Sequence, residues 1–279
     1  MKRIFSIKSQ KLIVLGHIIE CFDNTVYGFL AVMLAPLFFP TSSSQATILA
    51  SYGAFAAGFL ARPLGAFVFG HFGDTMGRKN TLVYSMALIS IPTFIIGILP
   101  TYNTIGFMAP FILILCRLSQ GFLIGGEFAG ANLYISENSE PENIGKGTGV
   151  LISSGVMGAI LATLVGGLVT LEGMPEWSWR LPFIGGGLSA FLIYLARKKM
   201  PETLAFHRAK QANEITKLPL KVIVKNYKKY IVLGSFIAGL TVIPLYCATV
   251  LGNKFFRELG YTTFECMMFN TFGMLIDAL

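Results

Sequence analysis

Long apolar runs constrain this 279-residue chain more than any other feature of its sequence. Seven stretches contain enough apolar residues, about twenty each, to cross the hydrocarbon core of a bilayer as a helix. With 54% apolar and only 13% charged residues, the composition is also unlike that of a soluble protein. We therefore predict an all-α multi-pass membrane protein. The predicted spans are 12–39, 46–69, 81–99, 105–135, 148–171, 177–196 and 230–251, and an eighth apolar run begins at 264.

The basic residues predict how these helices are oriented. Most of the 22 lysine and arginine residues fall before the first span, in the loop 70–79, or between 197 and 229. Because cytoplasmic segments of membrane proteins are enriched in Lys and Arg, we predict a cytoplasmic N-terminus. A basic N-terminus before an apolar run is also typical of a secretory signal peptide. Glu20 and Asp23 interrupt that run, however, and no small-residue cleavage site follows it.

Five ionisable residues lie inside the predicted spans. Each costs roughly 2.5–3.5 kcal/mol at a helix centre that faces lipid. We therefore expect these side chains to face the interior of the bundle or a water-filled cavity, and to pair with one another. The five residues are Glu20, Asp23, Arg62, Arg117 and Glu127.

Their spacing places several of them on common helix faces. Glu20, Asp23 and Tyr27 follow one another at steps of three and four residues, so they share one face of the first span. In the fourth span, Arg117 and Gln120 are three residues apart, and Glu127 follows Gln120 one heptad later. The two faces are predicted to border one cavity.

Three acids and two bases around one cavity leave one carboxyl group in excess. Such a group in a low-dielectric interior can bind and release a proton in the physiological range, as a proton-coupled carrier requires. Asp23, nearest the middle of the first span, is our first choice for this role. The alternative is that all five charges form static ion pairs that fix the register of the helices.

A short polar loop, GHFGDTMGRK, separates the second and third spans at 70–79. Its spacing of glycines, acid and bases resembles the loop between helices 2 and 3 of the major facilitator superfamily. The resemblance implies that this loop is a cytoplasmic latch, which holds the two halves of the molecule in one state. Thr75 departs from the pattern, since many members have Arg or Lys there. The gating residues implied by the resemblance are Gly70, Gly73, Asp74, Gly77, Arg78 and Lys79.

Four longer segments, 16–40, 58–74, 116–137 and 177–183, resemble the metabolite:proton symporters, one branch of that superfamily. Members of the branch carry proline/betaine, α-ketoglutarate, citrate or shikimate, and the chain looks most like the bacterial proline/betaine transporters. His17 and Cys21 depart from the pattern, since members often have Asn and Trp there. With this resemblance we assign to the substrate and proton cavity Glu20, Asp23, Tyr27, Arg62, Arg117, Gln120 and Glu127.

The resemblance implies symport of a small osmolyte, such as proline or glycine betaine, with protons across the bacterial inner membrane. Carriers of mono- or dicarboxylates are the alternative. Sugar porters are a further one, because Glu137, Pro201 and Glu202 approximate their pattern after helices 4 and 6. The sequence contains no P-loop, no nucleophile motif and no metal-ligand spacing of Cys or His. We expect no enzymatic activity, metal, cofactor or nucleic acid partner, and a proton gradient as the driving force.

Three regions are predicted along the chain. Residues 1–196 form an N-terminal six-helix transmembrane bundle, 197–229 a basic cytoplasmic connector, and 230–279 the start of a C-terminal half, with helix 7 and an incomplete helix 8. Transporter folds of this kind consist of two such halves, so we expect a separate chain to supply the C-terminal half. A non-transporting remnant and a half-fold that dimerises with itself are the alternatives. The basic residues near the end of the connector recur at helical spacing, which indicates either an interfacial helix on anionic lipid or a solvated connector. These residues are Lys217, Lys221, Lys225 and Lys228.

Overall fold

The computed structural model describes residues 2–212, 225–247 and 251–277. In these ranges the regular structure is helical throughout, which confirms the predicted all-α class. The helices are α1 (Lys2–Phe38), α2 (Ser44–Met76), α3 (Arg78–Ile98), α4 (Tyr102–Ile105), α5 (Met108–Glu137), α6 (Ile144–Val169), α7 (Arg180–Arg197), α8 (Leu204–Gln211), α9 (Lys228–Tyr246), α10 (Gly252–Glu258) and α11 (Thr263–Asp277), with a 3₁₀ turn at Pro141–Asn143.

Five helices in the described part of the chain are long and apolar enough to cross a membrane: α1, α2, α3, α5 and α6. They correspond to the first five predicted spans. The sixth span forms α7, which has 18 residues and begins and ends with an arginine. The seventh forms α9, with 19 residues. The proposed interfacial helix falls largely on residues 213–224, which lie outside the described residues.

One predicted loop is shorter than the sequence suggested, and the loop before α5 is longer. The polar segment 70–79 is almost wholly helical, because α2 continues to Met76 and α3 begins at Arg78. Only Gly77 lies between them, and its φ of 106° is accessible to glycine without strain. Before α5, the chain turns at Gly106, with a φ of 58°. Hydropathy could not predict these ends, since polar side chains do not by themselves stop a helix.

Three helix pairs make most of the bundle: α2 with α5, α3 with α7, and α1 with α6. Glycines stand where the α2 and α5 backbones meet. A side chain at Gly121 would collide with the carbonyl oxygen of Gly58, and one at Gly65 with that of Phe122. Small residues at such crossings let membrane helices approach closely, and dispersion contacts then hold them together.

The outward face of the bundle is apolar, whereas its interior contains charged side chains. Leu60 and Phe107 are 79% and 73% exposed, as expected for side chains that contact lipid. In contrast, Asp23, Arg117 and Glu127 are each at most 2% exposed. The fold thus places its ionisable groups on the inner faces of α1 and α5, as the sequence predicts.

Helix α11 packs against α6. The hydroxyl groups of Thr163 and Thr271 are 2.5 Å apart, and a side chain at Gly166 or Gly167 would meet Met267 or Phe264. The last helix in the described part of the chain therefore lies against the N-terminal bundle.

Candidate functional site

A buried network of polar side chains connects α1, α3 and α5 near the middle of the bundle. Gln120 donates to Asp23 Oδ2 (2.5 Å) and to the Thr93 hydroxyl (2.9 Å), and Arg117 donates to Gln120 Oε1 (2.9 Å). Gln120 therefore lies between the acid and the base and separates them. We call Asp23, Asn24, Arg62, Arg117 and Gln120 the central cluster.

The two arginines of the central cluster converge on a neutral group. Asn24 Oδ1 accepts from Arg62 Nη2 (2.8 Å) and from Arg117 Nη2 (3.5 Å). The amide oxygen has no net charge, so it accepts from both guanidinium groups without neutralising either of them. The Asp23 Oδ1 atom on the same helix is buried and has no hydrogen-bond partner among the described residues. The cluster thus offers both positive charge and an unfilled acceptor.

Aromatic rings support the same two guanidinium groups. The Arg117 guanidinium lies 4.4 Å from the centroid of the Tyr27 ring, and that of Arg62 lies 4.0 Å from the Phe59 ring. Each such contact between a cation and an aromatic ring stabilises the cation by about 0.5–2 kcal/mol. Tyr27 also lies parallel to Phe55, with centroids 6.1 Å apart. The rings orient the two arginine side chains. The faces of Tyr27 and Phe59 are therefore already in contact with cations of the protein itself.

Glu127, which the sequence assigns to the cavity, lies in a separate cluster with Ser85 and Arg197. Its carboxylate is paired with Arg197 and accepts a hydrogen bond from Ser85, and both partners of the ion pair are fully buried. Arg197 also donates to the backbone oxygens of Leu12, Ile13 and Leu82.

Arg197 is a charged residue that the sequence analysis does not place inside the bundle. It was assigned to the cytoplasmic connector, because it follows the last apolar residue of its span. With Arg197, the charges inside the bundle become three acids and three arginines, of which Arg62 is half-buried. The predicted excess of one carboxyl group is therefore wrong. Helix α7 includes Arg197 as its last residue. The sequence signal for its burial is that Arg197 directly follows an apolar run.

Glu20 is buried but lies outside the hydrogen bonds of the central cluster. Its nearest ionic partner is His17, with Nδ1 3.7 Å from Glu20 Oε2. The sequence treated His17 only as a departure from a family pattern. The structure therefore distributes the seven predicted cavity residues over three adjoining groups: the central cluster with Tyr27, the Glu127–Arg197 pair, and the Glu20–His17 pair.

The predicted gating residues form a network around the α2–α3 turn. Arg78 binds Asp74 (2.6 Å) and Glu137 (3.3 Å), and Glu137 accepts from the Thr203 hydroxyl (2.6 Å). The backbone N–H of Lys79 donates to Glu202 (3.0 Å).

The glycines of that turn differ in how tightly they are packed. A side chain at Gly73 would touch Arg78 and one at Gly77 would collide with Glu202, while Gly70 has open space around it. The network joins α2, α3, α5 and the segment after α7. Residues Glu137 and Glu202, noted for the sugar-porter pattern, thus meet the gating loop.

In the part of the chain that the structure describes, no three His, Cys, Asp or Glu side chains group closely enough to hold a metal ion.

Comparison with known proteins identifies the family. Residues 11–222 match the family described as "Sugar (and other) transporter". The chain is 37% identical over 251 residues to the inner membrane metabolite transport protein YhjE of Escherichia coli (strain K12), covering 86% of this chain and 56% of that protein. It is 34% identical over 239 residues to the citrate-proton symporter of Salmonella typhi, covering 84% and 55%. With the proline/betaine transporter of Salmonella typhimurium it shares 40% identity over 199 residues, covering 70% and 40%.

The fold matches that of solved transporters. A structure of the major facilitator superfamily proton:xylose symporter XylE superimposes with a TM-score of 0.78 at 16% identity, covering 100% of this chain and 68% of that one. A partially occluded, inward-open structure of XylE from E. coli gives a TM-score of 0.71 at 15% identity. The chain spans about half the length of the curated relatives that it matches. It belongs to the Sugar (and other) transporter family and has part of the major facilitator fold.

Proposed function

We propose that this chain provides the N-terminal half of a proton-coupled symporter for a small carboxylate-bearing osmolyte, such as proline or glycine betaine. The central cluster carries this proposal. Arg62 and Arg117 share one amide oxygen, and an incoming carboxylate at that position would bind both guanidinium groups as an anion.

The acid of the central cluster supports a zwitterionic substrate and a proton. Asp23 uses one oxygen to accept from Gln120, and its other oxygen is buried and unfilled. That oxygen, Asp23 Oδ1, can accept a hydrogen bond from an ammonium group of a substrate, face a quaternary ammonium group, or bind a proton. A carboxylate at the arginines and a positive charge at Asp23 together fit an amino acid or a betaine better than a neutral solute.

A carrier of di- or tricarboxylates is the second candidate. Two arginines around one position can bind two carboxylates of one substrate, and a citrate-proton symporter is among the relatives. In that case Asp23 binds only protons and repels the substrate while it is ionised. The two candidates therefore differ in the effect of removing the Asp23 charge: substrate binding weakens for a zwitterion and strengthens for a tricarboxylate.

The site needs a second wall. Since the relatives are about twice as long, we propose that polypeptide outside these 279 residues supplies the C-terminal half, in the same or a separate chain. "The completed carrier" below means these residues together with that half. We place it in the bacterial inner membrane with its N-terminus in the cytoplasm, because most basic residues outside the spans then lie inside the cell.

Uptake measurements test the function. Bacteria that lack their own carriers for these compounds would express the completed carrier and receive radiolabelled proline, glycine betaine or citrate. We expect uptake of a zwitterion that a protonophore abolishes. Arg62→Gln and Arg117→Gln should each raise the apparent KM about tenfold or more, which is about 1.4 kcal/mol. Arg208→Gln, at an exposed position of α8, is the matched control and should change nothing.

Uptake of citrate alone would favour the second candidate. Absence of uptake of all three compounds above the background, with the carrier present in the membrane, would contradict the proposed function. An unchanged KM in both arginine variants would exclude the central cluster as the carboxylate site.

A further inference from the structure

We propose that His17 and Glu20 form a second proton-binding site, in which His17 holds the proton and the Glu20 carboxylate stabilises it. The proposal rests on the proposed function, since it adds a proton site to the carrier. Neither the family match nor the relatives assign a role to His17. The proposal follows from how these two side chains are buried.

The geometry isolates Glu20 with one partner. Glu20 is 4% exposed, and its Oε2 atom is buried without a hydrogen bond among the described residues. The closest ionisable group is His17, one helical turn earlier, with Nδ1 3.7 Å from that oxygen. His17 is itself 6% exposed. The Oε2 atom of the Glu20 carboxylate thus faces the His17 imidazole.

The charge balance requires a proton in this pair. An isolated carboxylate in a low-dielectric interior is unfavourable by several kcal/mol. A protonated His17 beside an ionised Glu20 makes the pair neutral as a whole. Loss of that proton leaves the Glu20 carboxylate as a buried negative charge whose Oε2 atom accepts no hydrogen bond from the described residues. The pair therefore takes up a proton whenever one can reach it.

The surroundings of the pair contain charges that can change its proton affinity. Glu20 feels the negative charge of Glu127 on α5 and the positive charge of Arg62 on α2. The guanidinium of Arg197 on α7 fills the space beside Gly16, the neighbour of His17. Any movement that brings Arg62 or Arg197 closer to Glu20 favours release of the proton, because Glu20 then has another cationic partner.

Uncharged neighbours hold the imidazole in place. The ring of His17 lies against Phe128 of α5, with centroids 5.2 Å apart. On the α6 side is Gly155, where an added Cβ would lie 3.2 Å from Nε2. Cys21, one turn further on α1, has its sulfur 3.6 Å from Nε2 and 3.9 Å from Nδ1. A ring held between three helices can respond to small helix movements.

The pair also lies next to the acid of the central cluster. Glu20 and Asp23 are three residues apart on one face of α1, and the charge of Glu20 acts on Asp23. Because like charges repel, a proton bound at one site lowers the affinity of the other site for its proton. The two sites form one coupled system along α1.

Nitrogen NMR of histidine tests the charge state directly. The chain has three histidines, His17, His71 and His207. In the completed carrier with ¹⁵N-labelled histidine, in lipid bilayers at pH 7, His17→Gln identifies the His17 signal by its loss. We expect that signal to be that of an imidazolium. Glu20→Gln should make His17 neutral, whereas Glu137→Gln, which removes an acid near the gating loop, should leave it charged.

A neutral His17 in the unmodified carrier, or an imidazolium that persists in Glu20→Gln, would overturn the proposal. Both results are independent of the substrate. Failure of the proposed function would instead appear as an absence of transport, with the NMR result unaffected.

Transport measurements test whether the site takes part in coupling. In His17→Gln we expect gradient-driven accumulation to fall about tenfold while substrate counterflow stays within about twofold, since counterflow needs no net proton movement. Ordinary accumulation in this variant would exclude His17 from coupling. If His17→Gln does not reach the membrane, His17→Asn provides the same test with a shorter amide.

Discussion

Arg197 illustrates, at the scale of single residues, how this chain accommodates charge inside a membrane. Its guanidinium is fully buried, pairs with Glu127 and donates to three backbone carbonyls. Removing one partner of such a pair leaves an uncompensated buried charge, which costs about 3–5 kcal/mol. Replacing both partners by apolar residues is far less harmful.

We therefore predict that Arg197→Ala strongly lowers the thermal stability of the protein. The double variant Glu127→Leu/Arg197→Met should recover most of the loss. The control is Lys198→Ala, which removes the next, exposed cation of the same segment. Stability is measured as the temperature at which detergent-solubilised protein stops eluting as a single species. Equal stability of Arg197→Ala and Lys198→Ala would show that the buried pair does not stabilise the bundle.

Periodicity predicted which side chains face inward but not which ones pair. Steps of three and four residues correctly placed Asp23 on an inner face, and Gln120 and Arg117 join it there. The partner of Glu127 could not be predicted, because Arg197 is 70 residues away and its pairing depends on how α7 docks. The contact between His17 and Glu20 was within reach of the sequence, since the two are one helical turn apart.

At the scale of helices, the crossing of α2 and α5 depends on residues that lack a side chain. The backbones touch at Gly58 and Gly121 and again where Arg62 meets Gly125. Arg62 therefore reaches Asn24 from a helix whose position these glycines set. Which glycines face a neighbouring backbone depends on the crossing geometry of the two helices, which the sequence does not give.

We predict that Gly121→Leu prevents the close approach of α2 to α5. A side chain there must displace the Gly58 backbone, and overpacking of this kind costs about 1–3 kcal/mol or more. Gly53→Leu, on α2 with open space around it, is the control and should be tolerated. The measurement is the yield and melting temperature of folded protein. If the Gly121→Leu protein has the same melting temperature as the Gly53→Leu protein, α2 and α5 are not in backbone contact.

The α2–α3 turn is the other feature that belongs to this scale. Glu202, from the segment after α7, accepts from the Lys79 backbone N–H at 3.0 Å and lies against Gly77. This contact satisfies a free N–H at the first turn of α3, where helices carry a partial positive charge.

We predict that Glu202→Ala increases hydrogen exchange at the N-terminus of α3. The Lys79 amide loses its acceptor, so a peptide covering residues 77–81 should exchange faster by mass spectrometry. Glu140→Ala removes an exposed carboxylate that accepts from Asn143 in the same loop, and it should leave this peptide unchanged. Unaltered exchange in Glu202→Ala would mean that the carboxylate does not hold this turn.

At the scale of the whole molecule, the apolar runs were enough to predict the helical membrane fold, whereas helix ends and partners were not. Hydropathy ends a span at Phe69, but α2 continues to Met76 because Asp74 and Arg78 pair across the turn. The division into an N-terminal bundle, a basic connector and the start of a second half stays a prediction.

The central claim is that Asp23 couples substrate movement to protons in the completed carrier. The most direct test is the pH change outside de-energised cells when proline, glycine betaine or citrate is added. Symport predicts that the medium becomes more alkaline on addition of the transported substrate. Asp23→Asn should abolish this signal while the protein still reaches the membrane, and Lys146→Ala, at an exposed position of α6, should preserve it. The same alkalinisation in Asp23→Asn as in the unmodified carrier would contradict the account.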